Sequence, residues 1–162
     1  MTRLAFLSPE NAAHTVVLAS PLGRALGEGV VDVSYLGKVE LRGAVDSAEA
    51  GRQEELLRLS PTRALLVTEG SAVAAVERLN GNGVRAYDVT AALAAFEVEG
   101  EDVLRRLTEL DLSTLPKVGS IARGTRAVIE ARGGGRFRVF VPQELGHYLV
   151  EVVLDTLRGL GR

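Results

Sequence analysis

Residues 32–43, DVSYLGKVELRG, return in altered form as residues 88–100, DVTAALAAFEVEG. Both copies begin with an aspartate, a valine and a hydroxyl residue, continue with the alternating positions of a half-buried strand, and end in glycine. A second pair follows in the same order, because LLVTEGSAVAAVERL at 65–79 is similar to RVFVPQELGHYLVEVVL at 138–154. We predict an α+β fold of two pseudo-symmetric β-α-β-α halves, at about 30–82 and 86–158. Chance is the alternative, since a strand followed by a helix recurs in many α+β domains.

The spacing between the copies changes along the chain. It is 56 residues from Asp32 to Asp88 and 74 residues from Val67 to Val141. The additional 18 residues match, within a few residues, the length of a candidate hairpin over residues 117–134. We therefore predict that the second half contains a hairpin that the first half lacks.

Capping and turn signals divide the remainder of the chain. Ser20 and Pro21 are typical of a helix start, and a polar stretch with a late pair of leucines predicts a surface helix over residues 46–59. The other predicted elements are a strand at 63–68, a helix from Ser71 to the glycines near 81–83, a helix from about Gly100, strands at 117–122, 126–131 and 136–141 with a turn at 133–135, and a last helix opening at Pro142.

The composition excludes several classes of protein. The chain has 162 residues, 46% of them hydrophobic and 25% charged, which predicts one globular domain over residues 1–162. It has no cysteine, so disulfides, thiolate metal sites and cysteine nucleophiles are excluded. A formal net charge of −2 disfavours nucleic-acid binding, and no apolar run is long enough for a membrane span. We expect a cytoplasmic protein without nucleic-acid or membrane partners.

No residue pattern indicates a catalytic centre or a metal site. His14 and His147 are interpreted as surface or packing residues, because neither belongs to a nucleophile-base motif. The glycine clusters at 81–83 and 133–135 lack the spacing of a dinucleotide fingerprint, so we expect no flavin or nicotinamide cofactor on this chain alone. Asp32 and Asp88 are predicted to cap turns through nearby backbone amides, the alternative being that they face a ligand.

The segment 117–138 is basic, although the chain as a whole is slightly acidic. It carries six cations against a single acid, Glu130. One interpretation is a solvated strand face. The other is a contact surface for an acidic partner or for an anionic ligand, because guanidinium groups bind carboxylates in a bidentate manner. Arg126 is the first candidate among the six: Lys117, Arg123, Arg126, Arg132, Arg136 and Arg138.

The repeated motifs resemble the folate-binding fold of glycine-cleavage T proteins, the aminomethyltransferases. The second half is similar to the C-terminal half of the gamma subunit of heterotetrameric sarcosine oxidase. That family shows the aspartate-led strand followed by a Leu-Asp-Leu segment like Leu110-Asp111-Leu112, a Thr-Arg pair like Thr125-Arg126, and a strand that ends in Val-Pro like Val141-Pro142. The similarity extends over residues 21–157 and implies a duplicated fold of the folate-binding-domain type.

The resemblance implies a non-catalytic structural subunit. Such a subunit would support a flavin-dependent, amine-oxidising, one-carbon-transferring complex, with flavin and NAD held only by partner subunits; the resemblance leaves tetrahydrofolate open as a ligand. T proteins carry a catalytic aspartate in a first-half hairpin, which we expect to be missing because only SPTRA separates Leu59 from Leu65. The related iron-sulfur maintenance proteins have a cysteine motif that this chain lacks. The alternatives are a free-standing tetrahydrofolate-binding or aminomethyltransferase-like protein, and a self-associating protein outside any complex.

Overall fold

A computed structural model of the chain describes residues 20–162, which form nine strands and three α-helices. The prediction for His14 lies outside the described residues. The strands are β1 (Val30–Asp32), β2 (Gly37–Gly43), β3 (Glu54–Ser60), β4 (Arg63–Thr68), β5 (Val84–Asp88), β6 (Leu93–Glu99), β7 (Lys117–Ile121), β8 (Thr125–Gly133) and β9 (Arg136–Pro142). The helices are α1 (Ala72–Leu79), α2 (Glu101–Leu107) and α3 (Gln143–Gly159).

Two antiparallel sheets face each other in the middle of the molecule. The five-stranded sheet has the strand order β1-β6-β9-β8-β7, and the four-stranded sheet has the order β3-β4-β2-β5. α2 and α3 pack on the outer face of the first sheet, where Phe96, Val139 and Val153 are fully buried. α1 packs on the outer face of the second sheet, against Val39 and Leu66. The layers therefore run helix, sheet, sheet, helix, and the predicted α+β class is confirmed.

Each sheet contains one edge strand from the other half of the sequence. β1 pairs with β6, with Val30 opposite Val98, although β2, the next strand along the chain, lies in the other sheet. β5 likewise pairs with β2, with Val39 opposite Asp88, although the next strand, β6, lies in the five-stranded sheet. The chain thus crosses between the sheets at residues 33–36 and again at 89–92.

The repeated Asp-Val-hydroxyl motif builds both crossings. Ser34 N donates to Asp32 Oδ1 at 2.8 Å, and Thr90 N donates to Asp88 Oδ1 at 2.9 Å. An aspartate that accepts from the amide two residues on forms an Asx turn, which redirects the chain after the strand. The predicted turn-capping role of the two aspartates is confirmed.

The hydroxyl of each motif bonds to the backbone of the sheet that the chain is leaving. Ala95 N donates to Ser34 Oγ at 3.0 Å, and Lys38 N donates to Thr90 Oγ1 at 3.0 Å. Ala95 lies on β6 and Lys38 lies on β2, so each crossing is fixed to the strand beside which it begins. This explains why serine and threonine occupy equivalent positions in the two copies.

The predicted helix at Ser20 and Pro21 is wrong. Residues 21–25 form successive turns, in which Gly23 N donates to Ser20 O at 3.2 Å and Ala25 N donates to Leu22 O at 2.8 Å. Glycines at 23 and 27 make a helix unfavourable there, because glycine loses more backbone entropy than other residues. Leu22 is nevertheless fully buried and packs into the core beneath α3.

The predicted surface helix over residues 46–59 is also wrong. Val45–Ser47 is a single 3₁₀ turn, and Glu54–Ser60 is strand β3. Leu56 packs on the α1 side of the sheet, whereas Leu57 is buried on the opposite side, between the sheets. The adjacent leucines that resembled a helical pair therefore belong to a strand with both faces covered.

The predicted hairpin over residues 117–134 is present as β7 and β8, and the described first half has no strand that corresponds to β7. The expectation that the first half has no hairpin around residues 59–65 is wrong. β3 and β4 pair in antiparallel register, with Ser60 opposite Arg63 across the turn at Pro61 and Thr62. The longer second half instead inserts α2 and β7 between β6 and β8, where the described chain between β2 and β3 has only the 3₁₀ turn. The hairpin contains no aspartate between Glu54 and Thr68.

The other predicted elements are present with small changes in their ends. Ser71 caps α1, since Ala74 N donates to its hydroxyl at 3.3 Å, and α3 starts directly after Pro142. Over residues 20–162, no helix has both the length and the apolar character that crossing a bilayer requires. Those same residues hold no grouping of three His, Asp or Glu side chains suited to a metal ion.

Candidate functional site

The space between the two sheets contains the groups with the most unusual chemistry. Its centre is an apolar cluster that we call the inter-sheet layer, formed by Val33, Leu36, Leu57, Leu65, Val67, Ala95 and Phe140, all buried. Residues two apart on a strand share a face, so the inward face of β8 carries Glu130 and Arg126 on either side of Val128. Charged side chains therefore border the inter-sheet layer at both ends.

At one end lies a carboxylate–arginine cluster, which we define as Glu55, Glu97, Glu130, Arg132 and Arg138. Arg138 Nη2 lies 2.9 Å from Glu97 Oε1, its Nη1 lies 3.2 Å from Glu55 Oε2, and Arg132 Nη1 donates to Glu130 Oε1 at 2.9 Å. Arg132 also pairs with Glu55. Glu55 comes from the four-stranded sheet and the other four residues come from the five-stranded sheet, so the cluster joins the two sheets.

Glu130 is the least satisfied member of the cluster. Its side chain is only 4% exposed, and its Oε2 has no hydrogen-bond partner among the described residues, the Arg138 Nη1 atom lying 3.5 Å away. Burial, together with the facing Glu55 carboxylate, raises the pKa of Glu130 to about 7. Burial opposes ionisation of Glu55 as well, but contact with Glu130 and the charges of Arg132 and Arg138 lower the pKa of Glu55. The two carboxyl groups thus differ in protonation near neutral pH.

Lys38 is a second buried ionisable group, placed between the two crossings. Its side chain is fully buried, and its Nζ donates to Ser34 O at 2.8 Å and to Thr90 O at 3.4 Å. Burial lowers the pKa of Lys38 to about 8, against the opposing charges of Asp32 and Asp88. One amine therefore joins the backbones of both copies of the repeated motif.

At the other end of the inter-sheet layer is a pocket of about 270 Å³, which we call the Arg126 pocket. Apolar side chains from both sheets form its walls, and its charged lining residues are Glu40, Arg63 and Arg126. Arg63 Nη2 lies 2.6 Å from Glu40 Oε1, and Arg42 Nη2 lies 3.1 Å from Glu40 Oε2. Although partial burial opposes it, hydrogen bonds from these two arginines lower the pKa of Glu40, which stays ionised.

The structure distributes the six predicted contact residues over several environments. Arg132 and Arg138 belong to the carboxylate–arginine cluster, and Arg138 is buried. Arg126 lines the Arg126 pocket, whereas Arg123 lines a separate groove beside α2. Arg136 is exposed, as are Arg123 and Arg126, and Lys117 is partly exposed. The six do not form one surface, and a partner or ligand contact at any of them stays a prediction.

Sequence reasoning missed the buried charges. Strand alternation puts Lys38 on the same face of β2 as Glu40 and Arg42, but the five-stranded sheet covers this face at Lys38. Arg138 likewise lies on the same face of β9 as Phe140, and this face is turned towards the four-stranded sheet. Glu97 and Glu130 lie opposite Arg138 on the two strands that flank β9. The acidic residues on β6 and β8 and the arginine on β9 were the signal in the sequence for this cluster.

Comparison with known proteins identifies the class of fold. No protein-family model and no curated protein sequence matches the chain. Among solved structures, the chain is similar to a chain of the heterotetrameric sarcosine oxidase from Corynebacterium sp. U-96, solved in complex with pyrrole 2-carboxylate. The TM-score is 0.72 at 17% sequence identity, over 90% of this chain and 97% of that chain.

A second solved structure is the glycine cleavage system aminomethyltransferase T from Bartonella henselae. The TM-score is 0.57 at 18% sequence identity, over 80% of this chain and 46% of that one, so this chain spans about half the length of the aminomethyltransferase. At such low identity the two likenesses show the fold alone. The chain therefore has the fold that its motifs predict, the one shared with these two proteins.

Proposed function

We propose that the chain is a non-catalytic structural subunit of a flavin-dependent, amine-oxidising complex, resembling the gamma subunit of heterotetrameric sarcosine oxidase. The observation that carries the proposal is the length of the match. The chain aligns with 97% of a chain from a heterotetrameric enzyme but with only 46% of an aminomethyltransferase. A chain of this fold and extent corresponds to one whole subunit of the former and to a part of the latter.

The chemistry of the described residues supports a structural role. The hairpin of β3 and β4 contains no aspartate, the residue type that the resemblance to T proteins implies for a catalytic group in a first-half hairpin. The buried groups Lys38 and Glu130 are bonded within the fold, to backbone carbonyls and to Arg132 respectively. A catalytic group must reach a substrate, whereas Lys38 joins the two crossings and Glu130 is buried within the carboxylate–arginine cluster.

We further propose that the fold arose by internal duplication. The support is the pair of equivalent crossings, each four residues long and each built from Asp-Val-hydroxyl, together with the exchange of β1 and β5 between the sheets. The halves at about 30–82 and 86–158 would then be the two copies, with α2 and β7 as the additional elements of the second.

In this proposal the exposed basic residues of segment 117–138 contact other subunits, and flavin and NAD are bound by those subunits. Arg123, Arg126 and Arg136 are exposed guanidinium groups on or beside β7, β8 and β9. Charges at the rim of an interface chiefly set association rate and its salt dependence. The complex would be cytoplasmic.

Purification from the native source tests the proposal. A tagged chain should be recovered in fixed stoichiometry with a flavin-bearing subunit, identified by its absorbance and by mass spectrometry. The double variant Arg126→Glu/Arg136→Glu should bind that subunit more weakly and with less salt dependence, while Arg52→Glu, an exposed arginine outside the segment, should bind normally. Recovery of the chain without any flavoprotein, at native expression levels, would contradict the proposal.

The alternative is a free-standing tetrahydrofolate-binding or aminomethyltransferase-like protein, which the shared fold favours. Saturable thermal stabilisation of the isolated chain by tetrahydrofolate would support it, because a ligand of the native state raises apparent stability. The Arg126 pocket is a poor site for a pterin ring, since Glu40, its one carboxylate, is already occupied by Arg42 and Arg63.

A further inference from the structure

The walls of the Arg126 pocket are apolar and come from both sheets. Leu59 and Leu65 contribute from the four-stranded sheet, and Leu93, Val128 and Phe140 contribute from the five-stranded sheet. Leu65 and Phe140 are buried and fixed in the inter-sheet layer, so these walls are part of the rigid interior and do not depend on a loop. A cleft of about 270 Å³ lies just below the usual size range of small-molecule sites, which begins at about 300 Å³.

The charged groups at the pocket differ in whether they have an ion-pair partner. Glu40 is held by two arginines, with Arg63 Nε and Nη2 both donating to its Oε1, at 3.1 and 2.6 Å. Arg126 has no carboxylate within ion-pair distance among the described residues. The pocket therefore combines an apolar floor with one guanidinium group whose donors are available to an anion.

We propose that the Arg126 pocket binds a small organic carboxylate with an apolar body. The apolar body occupies the cleft between Leu65, Leu93 and Phe140, and the carboxylate accepts two hydrogen bonds from the Arg126 guanidinium. Arginine suits this role because its planar fork matches a carboxylate and stays charged at all physiological pH values. The volume restricts the ligand to a body on the order of ten non-hydrogen atoms, such as an aromatic or branched aliphatic acid.

Isothermal titration of the full chain with benzoate and with benzamide tests the proposal. The two probes have the same shape, and only benzoate carries the charge. We expect benzoate to bind saturably with a Kd of about 1 mM or tighter, and benzamide to bind at least about tenfold more weakly. Arg126→Gln should weaken benzoate binding by about tenfold and remove the preference for benzoate over benzamide. Arg136→Gln, an exposed arginine on the same hairpin that does not line the pocket, should bind benzoate like the wild type.

A second variant tests the cleft independently of the charge. Leu93→Trp fills the pocket from β6 and should abolish binding of both probes, with circular dichroism confirming that the variant is folded. Equal benzoate affinity in the wild type and in Arg126→Gln would overturn the proposal. So would the absence of saturable binding up to about 20 mM, which is far weaker than a built site of this kind would give. Neither result bears on whether the chain assembles with a flavoprotein, so the two proposals fail separately.

Discussion

Lys38 is an ammonium group placed where water does not reach. Its folded pKa of about 8 is below its ordinary value of 10.5, so between these two values the unfolded chain holds a proton that the folded chain has released. The free energy of unfolding should therefore rise as pH increases from about 8 to 10.5, by about 1–3 kcal/mol. Chemical denaturation across this range measures the rise.

The matched variants for this prediction are Lys38→Met and Lys117→Met. The first removes the buried amine and should abolish the rise, whereas the second changes the partly exposed lysine on β7 and should retain it. A rise of equal size in Lys38→Met would mean that other groups, such as tyrosines, cause it.

The pKa of Glu130 predicts the opposite dependence of the free energy of unfolding on pH. Its folded pKa of about 7 is above the ordinary value of 4.5, so the folded chain keeps a proton that the unfolded chain loses in this window. The free energy of unfolding should fall, by about 1–3 kcal/mol, as pH rises from about 4.5 to 7. Glu130→Gln carries a permanent amide donor and should remove this fall, as urea titrations at several pH values would show. Parallel profiles for the two proteins would refute the assignment.

Arg138 is the cation on which the carboxylate–arginine cluster depends. Arg138→Met leaves Glu97 and Glu130 with fewer counter-charges in a partly buried site, and we expect a loss of about 2–4 kcal/mol in the free energy of unfolding. Arg136→Met is the control, because Arg136 is exposed on the same strand, and it should change stability by less than about 0.5 kcal/mol. Equal losses in the two variants would show that the cluster contributes little.

Sequence reasoning was strong on which residues share a face and weak on what covers that face. Strand geometry alone puts Lys38 and Val39 on opposite faces of β2, and Arg138 and Val139 on opposite faces of β9. Whether Lys38 meets water depends on a second sheet formed by residues far away in sequence. The same limit applies to Arg126, where the Thr-Arg motif indicated the residue but not the pocket beside it.

At the scale of elements, α3 depends on the absence of a side chain at Gly146. A Cβ at this position would lie 2.7 Å from a methyl group of Leu22 and 2.8 Å from the Cβ of Ala94. Gly146→Ala should therefore lower the free energy of unfolding by about 1–3 kcal/mol, although alanine is the better helix former. Gly159→Ala, at the end of the same helix with open space around it, should be neutral or stabilising by up to about 1 kcal/mol. Thermal melts of both variants provide the measurement, and stabilisation by both would contradict the packing argument.

Elements with clear caps were predictable, and those with covered faces were not. Ser71 and the glycines after α1 set its ends correctly, because capping is local chemistry. Leu56 and Leu57 pack into two different cores, on opposite faces of β3. The apolar pattern of β3 therefore does not alternate, and for this reason the sequence predicts a helix there. The turn at Pro61, short enough for a hairpin, was the signal that could have corrected this.

At the scale of the whole molecule, the exchange of β1 and β5 makes each sheet incomplete without the other half of the chain. We expect a single cooperative unfolding transition, with equal midpoints by tyrosine fluorescence and by far-ultraviolet circular dichroism. A fragment of residues 90–162 lacks β1 and the facing sheet, and it should be largely unfolded. Separate midpoints, or a folded fragment with dispersed amide resonances, would show that the halves are independent. The recurrence in the sequence indicated two related segments, but the exchange of edge strands could not be inferred from it.

The concealment of Lys38 also has a practical consequence, since the sequence contains one other lysine, Lys117. Amine-reactive dyes and bifunctional linkers would modify Lys117, which lies on edge strand β7 beside the exposed basic residues. A fluorophore attached there would report docking of a neighbouring subunit through quenching or anisotropy. A photoactivatable linker at the same site would capture that neighbour covalently for peptide mapping.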